Sequence, residues 1–251
     1  MEDLWDILKK AGRERFDEII LRQDLTEEMA IGIAENRNTP PESLGILASS
    51  VRFKDSYRLK LALCKNPKTP QRVTLSLLKF LRLFDLADLT KNQNIHINIR
   101  QKIEQILKEK IPSLPIGNRI TLAKRSSGSV ILFILEKAKG GKEVTGLINT
   151  CLENPLLREG DVLKLINSET TPPNVIQAIA IHPRWATRYS IRYALIRNFY
   201  TPLSIVVELL KDMKIQDLED LYNDGAVPSS TKPFIYREIT ERQGLEIDND
   251  Q

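Results

Sequence analysis

The sequence predicts an all-α protein, an α-solenoid in which helix hairpins stack in two duplicated halves. Three observations support this prediction. Apolar residues recur at helical spacing along most of the chain, a short turn phrase recurs between them, and residues 22–110 match residues 154–242 without a gap. Such internal repeats are typical of architectures in which each hairpin buries its apolar face only by stacking on the next.

The turn phrase predicts the corner of a helix hairpin. It occurs as Asn36–Pro40, Asn66–Pro70 and Asn198–Pro202, each with asparagine first and Thr-Pro last. Asparagine tolerates the left-handed conformation that ends many helices. Threonine is a good N-cap, and proline is well tolerated at the first helical position. Each copy therefore indicates a helix that ends, a tight turn and a helix that begins.

A longer relation connects these corners. Residues 22–110 align with residues 154–242 at a constant offset of 132 positions. The identical pairs include Thr39/Thr171, Pro40/Pro172, Tyr57/Tyr189, Ala62/Ala194, Asn66/Asn198, Thr69/Thr201, Pro70/Pro202, Asp85/Asp217 and Asp88/Asp220. A gapless match of this length is not expected by chance, and it predicts two structurally equivalent halves.

The alignment divides the chain into five predicted segments. They are N-terminal capping helices (1–21), a first repeat half (22–110), a helical spacer (111–153), a second repeat half (154–242) and a flexible acidic tail (243–251). The apolar spacing predicts about sixteen helices of roughly 8–16 residues and no strand. Residues 51–53 and 130–134 have β-branched character, but they lie within helical periodicity and are therefore predicted to be helical.

Composition places the chain among ordinary globular proteins with a mildly basic charge. The net charge is +4 over 251 residues, which is compatible with an anionic partner but does not require one. No apolar run reaches the length of a membrane span, and the acidic N-terminus lacks the cationic start of a signal peptide. We therefore expect a cytoplasmic protein, in which Cys64 and Cys151 are buried packing residues rather than a disulfide.

The corners also suggest a family. Lys60–Pro70 and Arg192–Pro202 combine a basic helix, an Ala-Leu pair, an asparagine corner and a following Leu-rich helix. This pattern resembles bacterial HEAT-like repeats, especially the leucine-rich repeat variant type. The resemblance implies a right-handed superhelix and protein binding, and it implies no reaction. The cysteine cluster that some members carry is missing here, so no iron–sulfur cofactor or other cofactor is expected.

Catalysis is not predicted. The chain has two histidines, His96 and His182, and no metal-binding or phosphate-loop motif. Two Asp-Leu-x-Asp-Leu segments begin at Asp85 and Asp217 and place paired carboxylates on one helix face. They could serve as an acid–base pair, but the better interpretation is that they stabilise a helix start while the leucines pack.

A basic helix face is the strongest binding feature. Arg184, Arg188 and Arg192 are spaced four apart and therefore predict one stripe on a helix. The neighbouring aromatics are Trp185, Tyr189, Tyr193, Phe199 and Tyr200, and the first half repeats part of the charge pattern. The predicted partner-binding residues are Arg184, Trp185, Arg188, Arg192, Arg197, Arg52, Lys60 and Lys65.

Two interpretations of this face remain open from sequence. The charges could add to a positive ridge that binds an acidic protein surface or, as the alternative, nucleic acid in the manner of HEAT-like DNA-repair glycosylases. They could instead pair with neighbouring carboxylates and stabilise the stack, with Trp185 as a core or interface anchor. The expected function is a non-catalytic scaffold for protein–protein interaction, and no membrane or small-molecule partner is expected.

Overall fold

A computed structural model describes residues 13–249, so most of the predicted capping segment 1–21 lies outside the described residues. Within the described range the protein consists of sixteen α-helices and three short 3-10 helices, without a strand. The predicted helical character of residues 51–53 and 130–134 is confirmed, the first as a 3-10 helix and the second within an α-helix. The all-α prediction is therefore confirmed.

The first of two compact units ends at Lys110 and also includes Arg125–Ser127. Its α-helices are α1 (Arg13–Leu21), α2 (Glu27–Glu35), α3 (Pro41–Ser49), α4 (Tyr57–Lys65), α5 (Gln71–Leu77), α6 (Leu83–Lys91) and α7 (Ile97–Lys110). Two 3-10 helices, Val51–Phe53 and Leu78–Phe80, follow α3 and α5.

The second unit contains the remaining described residues. It begins with the 3-10 helix Ile111–Ser113. Its α-helices are α8 (Ile116–Arg125, whose last residue belongs to the first unit), α9 (Gly128–Glu136), α10 (Lys142–Glu153), α11 (Glu159–Ile166), α12 (Pro173–Ile181), α13 (Tyr189–Arg197), α14 (Leu203–Leu210), α15 (Ile215–Asn223) and α16 (Lys232–Asn249). Helix α16 extends through residues 243–249, which the sequence analysis assigned to the tail.

Helices in each unit pack on their sequence neighbour and on the helix after it. In the first unit α1 packs on α3, α2 on α4 and α5 on α7. In the second unit α10 packs on α12, α11 on α13 and α14 on α16. This pattern forms because each short helix has an apolar face that a single partner cannot cover. None of the described helices has the combination of length and apolar character needed to cross a membrane.

Helix starts in the first unit recur in the second at the offset found in the sequence. Helices α2, α3, α4, α5 and α6 begin at residues 27, 41, 57, 71 and 83, and α11 to α15 begin at residues 159, 173, 189, 203 and 215. The offset is 132 positions in every case. The alignment therefore locates the same five helices in both units.

The corners differ in detail from their predicted geometry. Asn66 ends α4 with φ −78° and ψ 121°, and no non-glycine residue in the described range has a positive φ. Its Oδ1 accepts the N–H of Lys68 at 2.9 Å, and the hydroxyl of Thr69 donates to the carbonyl of Leu63 at 2.6 Å. The N-cap of the next helix is Pro70.

Two predictions about these corners were therefore wrong. A left-handed residue is unnecessary because the asparagine backbone is extended and its side-chain oxygen accepts the N–H two residues later, which closes the turn. Threonine is not the N-cap because its hydroxyl donates to a carbonyl in the last turn of the preceding helix. Carbonyls of a last turn lack the usual backbone donor four residues later in the helix. Proline takes the N-cap position, one residue earlier than expected.

The same asparagines join successive hairpins. The Asn66 amide donates to the carbonyl of Ala34 at 2.7 Å, and Asn198 makes the equivalent bond to Ile166 at 2.6 Å. In the second unit Asn154 donates to Ala123 at 2.7 Å. Each bond runs from the corner of one hairpin to the C-terminal end of a helix in the hairpin before it, where carbonyls lack helical partners. The corners thus connect neighbouring hairpins within each unit.

We expect Asn66→Ala to lower the free energy of unfolding by about 1–3 kcal/mol, since it removes the side-chain donor to the buried carbonyl of Ala34. Asn66 is 6% exposed and also donates to the carbonyl of Asn36. Urea unfolding followed by circular dichroism measures the change. The matched control is Asn38→Ala, an exposed corner residue of the same unit. An equal loss of unfolding free energy in the two variants would contradict the role of Asn66 in joining successive hairpins.

Candidate functional site

The predicted basic stripe does not lie on one helix. Arg184 lies in the turn that follows α12, Arg188 is the N-cap of α13, and only Arg192 lies inside α13. The helix ends early because a residue that precedes proline is disfavoured in the helical region, and His182 before Pro183 is extended. The prediction of a single helical stripe was therefore wrong.

Arg184 and Trp185 close the end of the preceding hairpin. The Arg184 guanidinium donates to the carbonyls of Asn154 and Leu157, both at 3.0 Å, and lies 4.3 Å above the Trp185 ring centre. The indole N–H donates to the carbonyl of Leu152 at 2.9 Å. Trp185 is 1% exposed, so it belongs to the core and presents no surface to a partner.

The first unit contains the same arrangement in weaker form. Arg52 donates to the carbonyl of Arg22 at 3.3 Å, and its guanidinium lies 5.3 Å from the centre of the Phe53 ring. Residues 22, 52 and 53 correspond to residues 154, 184 and 185 at the common offset. The contact therefore recurs as a structural feature of both units.

The remaining predicted arginines around α13 also have partners inside their unit. Arg188 pairs with Glu159 at 2.5 Å. Arg192 donates to the carbonyl of Ala186 at 2.7 Å and pairs with Asp212 at 2.6 Å. These contacts match the alternative in which the basic residues stabilise the stack.

Lys60 in the first unit has an aromatic neighbour. Its ammonium lies 4.6 Å above the Phe80 ring centre on the same face of the unit. A cation over an aromatic ring is stabilised, but it keeps its charge and some access to solvent. The contact described for Lys60 is thus weaker than the hydrogen bonds and ion pairs of the arginines near α13.

Lys65 and Arg197 line two equivalent concave surfaces. We call these surfaces the corner grooves, since each lies at the Asn-x-x-Thr-Pro corner after α4 or α13. The first-unit groove has a volume of about 200 Å³ and is lined by Glu35, Arg37, Ala62, Lys65, Asn66, Pro67, Asn92 and Asn94. The second-unit groove has about 830 Å³ and is lined by Ile166, Asn167, Ser168, Glu169, Ala194, Arg197, Asn198, Phe199, Tyr200 and Ala226.

The two corner grooves share a frame and differ in their side chains. Ala62, Lys65, Asn66 and Pro67 correspond to Ala194, Arg197, Asn198 and Phe199 at the offset of 132. Two of the predicted binding residues, Lys65 and Arg197, therefore occupy equivalent positions, one in the groove of each unit. The second groove is larger and has aromatic side chains where the first has Pro67 and Lys68.

An exposed aromatic pair forms the edge of the second corner groove. Phe199 is 78% exposed and Tyr200 is 41% exposed, and their rings meet edge to face at 5.6 Å. The N–H of Tyr200 donates to Oδ1 of Asn198 at 2.9 Å, which fixes the backbone beneath the rings. The sequence analysis noted both aromatics near the basic residues but did not select them, because exposure at a corner is not visible in sequence.

Arg197 is held at this groove by one carboxylate. Its Nε donates to Asp224 at 2.6 Å. The backbone N–H of Ala226, at 2.8 Å, and the Arg197 guanidinium together hold the pKa of Asp224 below its usual range. This carboxylate therefore stays ionised under ordinary conditions and orients the arginine.

The paired aspartates have structural partners. The Tyr57 hydroxyl donates to the Asp85 carboxylate. The same hydroxyl oxygen accepts the N–H of Arg82 at 3.1 Å. Tyr189 repeats both bonds with Asp217 and with the N–H of Lys214, also at 3.1 Å. Burial and then the neighbouring carboxylate raise the pKa of both tyrosines. These bonds explain the recurring aspartates as anchors of helix starts.

The second aspartate of the first pair also has a structural partner. Asp88 forms an ion pair with Arg125, with Nε and Oδ1 3.0 Å apart. The Arg125 guanidinium lowers the pKa of the Asp88 carboxyl. Asp85 and Asp88 thus contact different groups, and the structure offers no support for a shared acid–base role.

The nucleophilic and metal-binding residue types are dispersed. Cys64 and Cys151 are buried, and burial raises the pKa of both thiols to about 12. His182 is 9% exposed, accepts the N–H of Arg184 through Nδ1, and has its pKa lowered by burial. No cluster of three or more His, Cys, Asp or Glu residues that could hold a metal ion occurs between residues 13 and 249.

Comparison of the chain with models of known families, with curated proteins and with solved structures gives no match. Inference about function therefore depends on the geometry of the chain itself. In that geometry most predicted arginines are engaged inside their unit. Predicted binding residues line three concavities: Lys65 and Arg197 line the corner grooves, and Arg52 lines a third of about 410 Å³ in the first unit.

We expect Arg184→Ala to lower the free energy of unfolding by about 1–3 kcal/mol, since two carbonyls lose a charged donor. Arg184→Lys should not restore stability, because one ammonium cannot reproduce the planar fork. Thermal and urea unfolding measure both variants. Arg188→Ala is the control, because an exposed ion pair contributes about 0–1 kcal/mol. A larger loss for Arg188→Ala than for Arg184→Ala would contradict this ranking.

Both thiols should resist modification in the folded protein. At pH 8 an aromatic disulfide reagent should label Cys64 and Cys151 only as fast as the chain opens, and immediately in urea, because the thiolate is the reactive form. The folded pKa is raised from 9.0 to about 12. The protonated thiol therefore stabilises the fold below pH 9, and this contribution is lost as pH rises toward 12. Rapid labelling without denaturant would contradict the burial of these thiols.

Proposed function

We propose that this chain is a non-catalytic helical-repeat scaffold that binds a protein partner, with the second-unit corner groove as its contact surface. The observation that carries the proposal is the exposed pair Phe199 and Tyr200, at 78% and 41% exposure, on the edge of a groove of about 830 Å³. Exposed aromatics beside a concavity are costly for an isolated protein and are typical of interaction sites.

A scaffold role also fits the repeated architecture. The recurring helix starts and the recurring corner bonds of Asn66 and Asn198 support an internal duplication. We propose that the hairpins form a right-handed α-solenoid of the HEAT-like kind, as the resemblance of the corners implies. In such proteins, stacked hairpins present equivalent corners along one edge, which suits the binding of an extended partner.

The groove combines the residue types that dominate binding energy at interfaces. Aromatic and arginine side chains are enriched at energetic hot spots, where few residues supply most of the affinity. The Asn198–Tyr200 bond holds the backbone in place before a partner arrives. Because the backbone beneath the rings is already positioned, binding costs less conformational entropy than it would on a mobile loop.

The charge of the groove favours an acidic partner. The bond from Arg197 to Asp224 uses Nε, so the outer edge of the guanidinium, with its two Nη groups, faces away from that contact. A partner carboxylate could bind there while an apolar side chain packs against Phe199 and Ala194. The net charge of +4 also favours encounter with an acidic surface.

Nucleic-acid binding is the weaker alternative. Phosphate contacts need cations that are free to replace counterions. Arg184, Arg188 and Arg192 are instead bound to carbonyls and carboxylates of their own unit. The described contacts therefore favour a protein partner.

We expect peptides selected from a random phage-displayed library against the full chain to bind through this groove. The double substitution Phe199→Ala with Tyr200→Ala should weaken the selected peptides about thirtyfold, since an aromatic anchor contributes ~2 kcal/mol or more. Fluorescence anisotropy of labelled peptides measures the affinity. Both side chains are exposed, so the unfolding midpoint should stay unchanged.

Tyr236→Ala provides the matched control, because Tyr236 is a 55% exposed aromatic that does not line the groove. Its affinity for the peptides should equal that of the wild type. Failure to enrich any peptide, or equal affinity of the double variant, would contradict the proposal. Salt-sensitive retention on DNA that is lost in Arg197→Glu would instead favour the nucleic-acid alternative.

A further inference from the structure

A second concavity, in the first unit, is unrelated to the corner grooves. It has a volume of about 680 Å³ and lies among α5, the 3-10 helix Leu78–Phe80, α6 and α7. It is lined by Leu75, Leu78, Lys79, Leu81, Leu86, Asn98, Lys102, Ile106 and Lys110. We call it the lysine-rimmed cavity. Its volume is within the range of small-molecule sites, about 300–1,000 Å³.

The floor of the lysine-rimmed cavity is aliphatic. Leu78, Leu81 and Leu86 are buried, at 2%, 6% and 1% exposure, and Leu75 at the edge is 43% exposed. Ile106 completes the apolar wall. The lining contains no aromatic ring, so the surface is suited to a flexible hydrocarbon chain rather than a flat ligand.

The rim is cationic. Lys102, Ile106 and Lys110 are spaced four apart on α7 and therefore lie on one helix face, and Lys79 is the third lysine of the lining. No acidic residue is among the residues that line the cavity. Lys102 contacts the amide oxygen of Gln105 at 3.2 Å, and Lys79 lies 5.0 Å from the Phe80 ring centre. Neither contact neutralises the ammonium charge.

Different side chains occupy the equivalent positions of the second unit. The positions of Lys102, Ile106 and Lys110 are taken there by Phe234, Glu238 and Arg242. Arg242 pairs with Glu238 at 2.6 Å and donates to three carbonyls, those of Leu210, Lys211 and Met213. The shared fold therefore does not require an open cationic cavity, and the first unit has one because of its own side chains.

We propose that the lysine-rimmed cavity binds a single-chain amphiphile with an anionic head group. The hydrocarbon chain lies on the leucine floor, and the carboxylate or sulfate lies beside Lys79 and Lys102. Both halves of this ligand are complementary to the surface they contact, since apolar burial and charge pairing are separately favourable. A partner protein with an acidic amphipathic helix has related chemistry and is a competing outcome of the test below.

The test uses the full chain and saturated alkyl carboxylates and sulfates below their micellar concentration, measured by isothermal titration calorimetry. We expect one saturable site for dodecyl sulfate and for dodecanoate. Each added methylene should tighten binding about fourfold, the equivalent of ~0.8 kcal/mol per buried CH₂. Dodecyltrimethylammonium, with the same chain and the opposite charge, should bind at least tenfold more weakly.

Two matched variants locate the site. Lys79→Glu and Lys211→Glu change equivalent lysines of the two units, and both positions are exposed. Lys79→Glu should weaken dodecanoate at least tenfold, and Lys211→Glu should bind as the wild type does. Ile106→Trp, which fills the cavity, should abolish binding and leave the circular dichroism spectrum unchanged.

Several outcomes would overturn the inference. They are binding that does not depend on chain length, equal binding of the cationic surfactant, equal loss in the two lysine variants, and a site that accepts an acidic amphipathic peptide but no amphiphile. The outcome is separate from that of the corner groove. The variant with Phe199→Ala and Tyr200→Ala should bind dodecanoate with unchanged affinity.

Discussion

The structure depends on how the carbonyl groups at helix C-termini are satisfied. Short helices leave a large share of their backbone acceptors without helical partners. Here the amides of Asn66 and Asn198 and the guanidiniums of Arg184 and Arg242 cross to those carbonyls from a later hairpin. Each contact gives a carbonyl near a helix end a side-chain donor. Within each unit these bonds connect one hairpin to the hairpin before it.

This constraint explains why several arginines near helix ends have partners inside their own unit. Cations are favoured at the negative ends of helices, and guanidinium groups can bridge two carbonyls at once. Arg184 and Arg242 do so, and Arg192 joins a carbonyl to a carboxylate. The two surfaces that we propose for binding lie elsewhere, at the aromatic corner and at the lysine-rimmed cavity.

Much of the fold follows from local sequence patterns. The corner prolines Pro40, Pro70 and Pro202 locate three helix starts to within one residue, and the offset of 132 identifies five helices in both units. The role of Arg184 was not predictable in the same way, because the break before Pro183 turns an apparent helical stripe into turn, cap and helix. The lysine-rimmed cavity and the exposure of Phe199 depend on packing among several elements. Spacing along a single helix contains no such information.

The five residues of the Asn-x-x-Thr-Pro corner divide into three that hold the turn together and two that are exposed to solvent. Asparagine, threonine and proline are engaged in hydrogen bonds or helix capping, while the two central side chains point outward in all three copies. Those central positions hold Arg37 and Asn38, Pro67 and Lys68, or Phe199 and Tyr200. Sequence change at these two positions of each corner therefore leaves the hydrogen bonds and the helix cap beneath them in place. The outward chemistry of a corner can vary at little cost in stability.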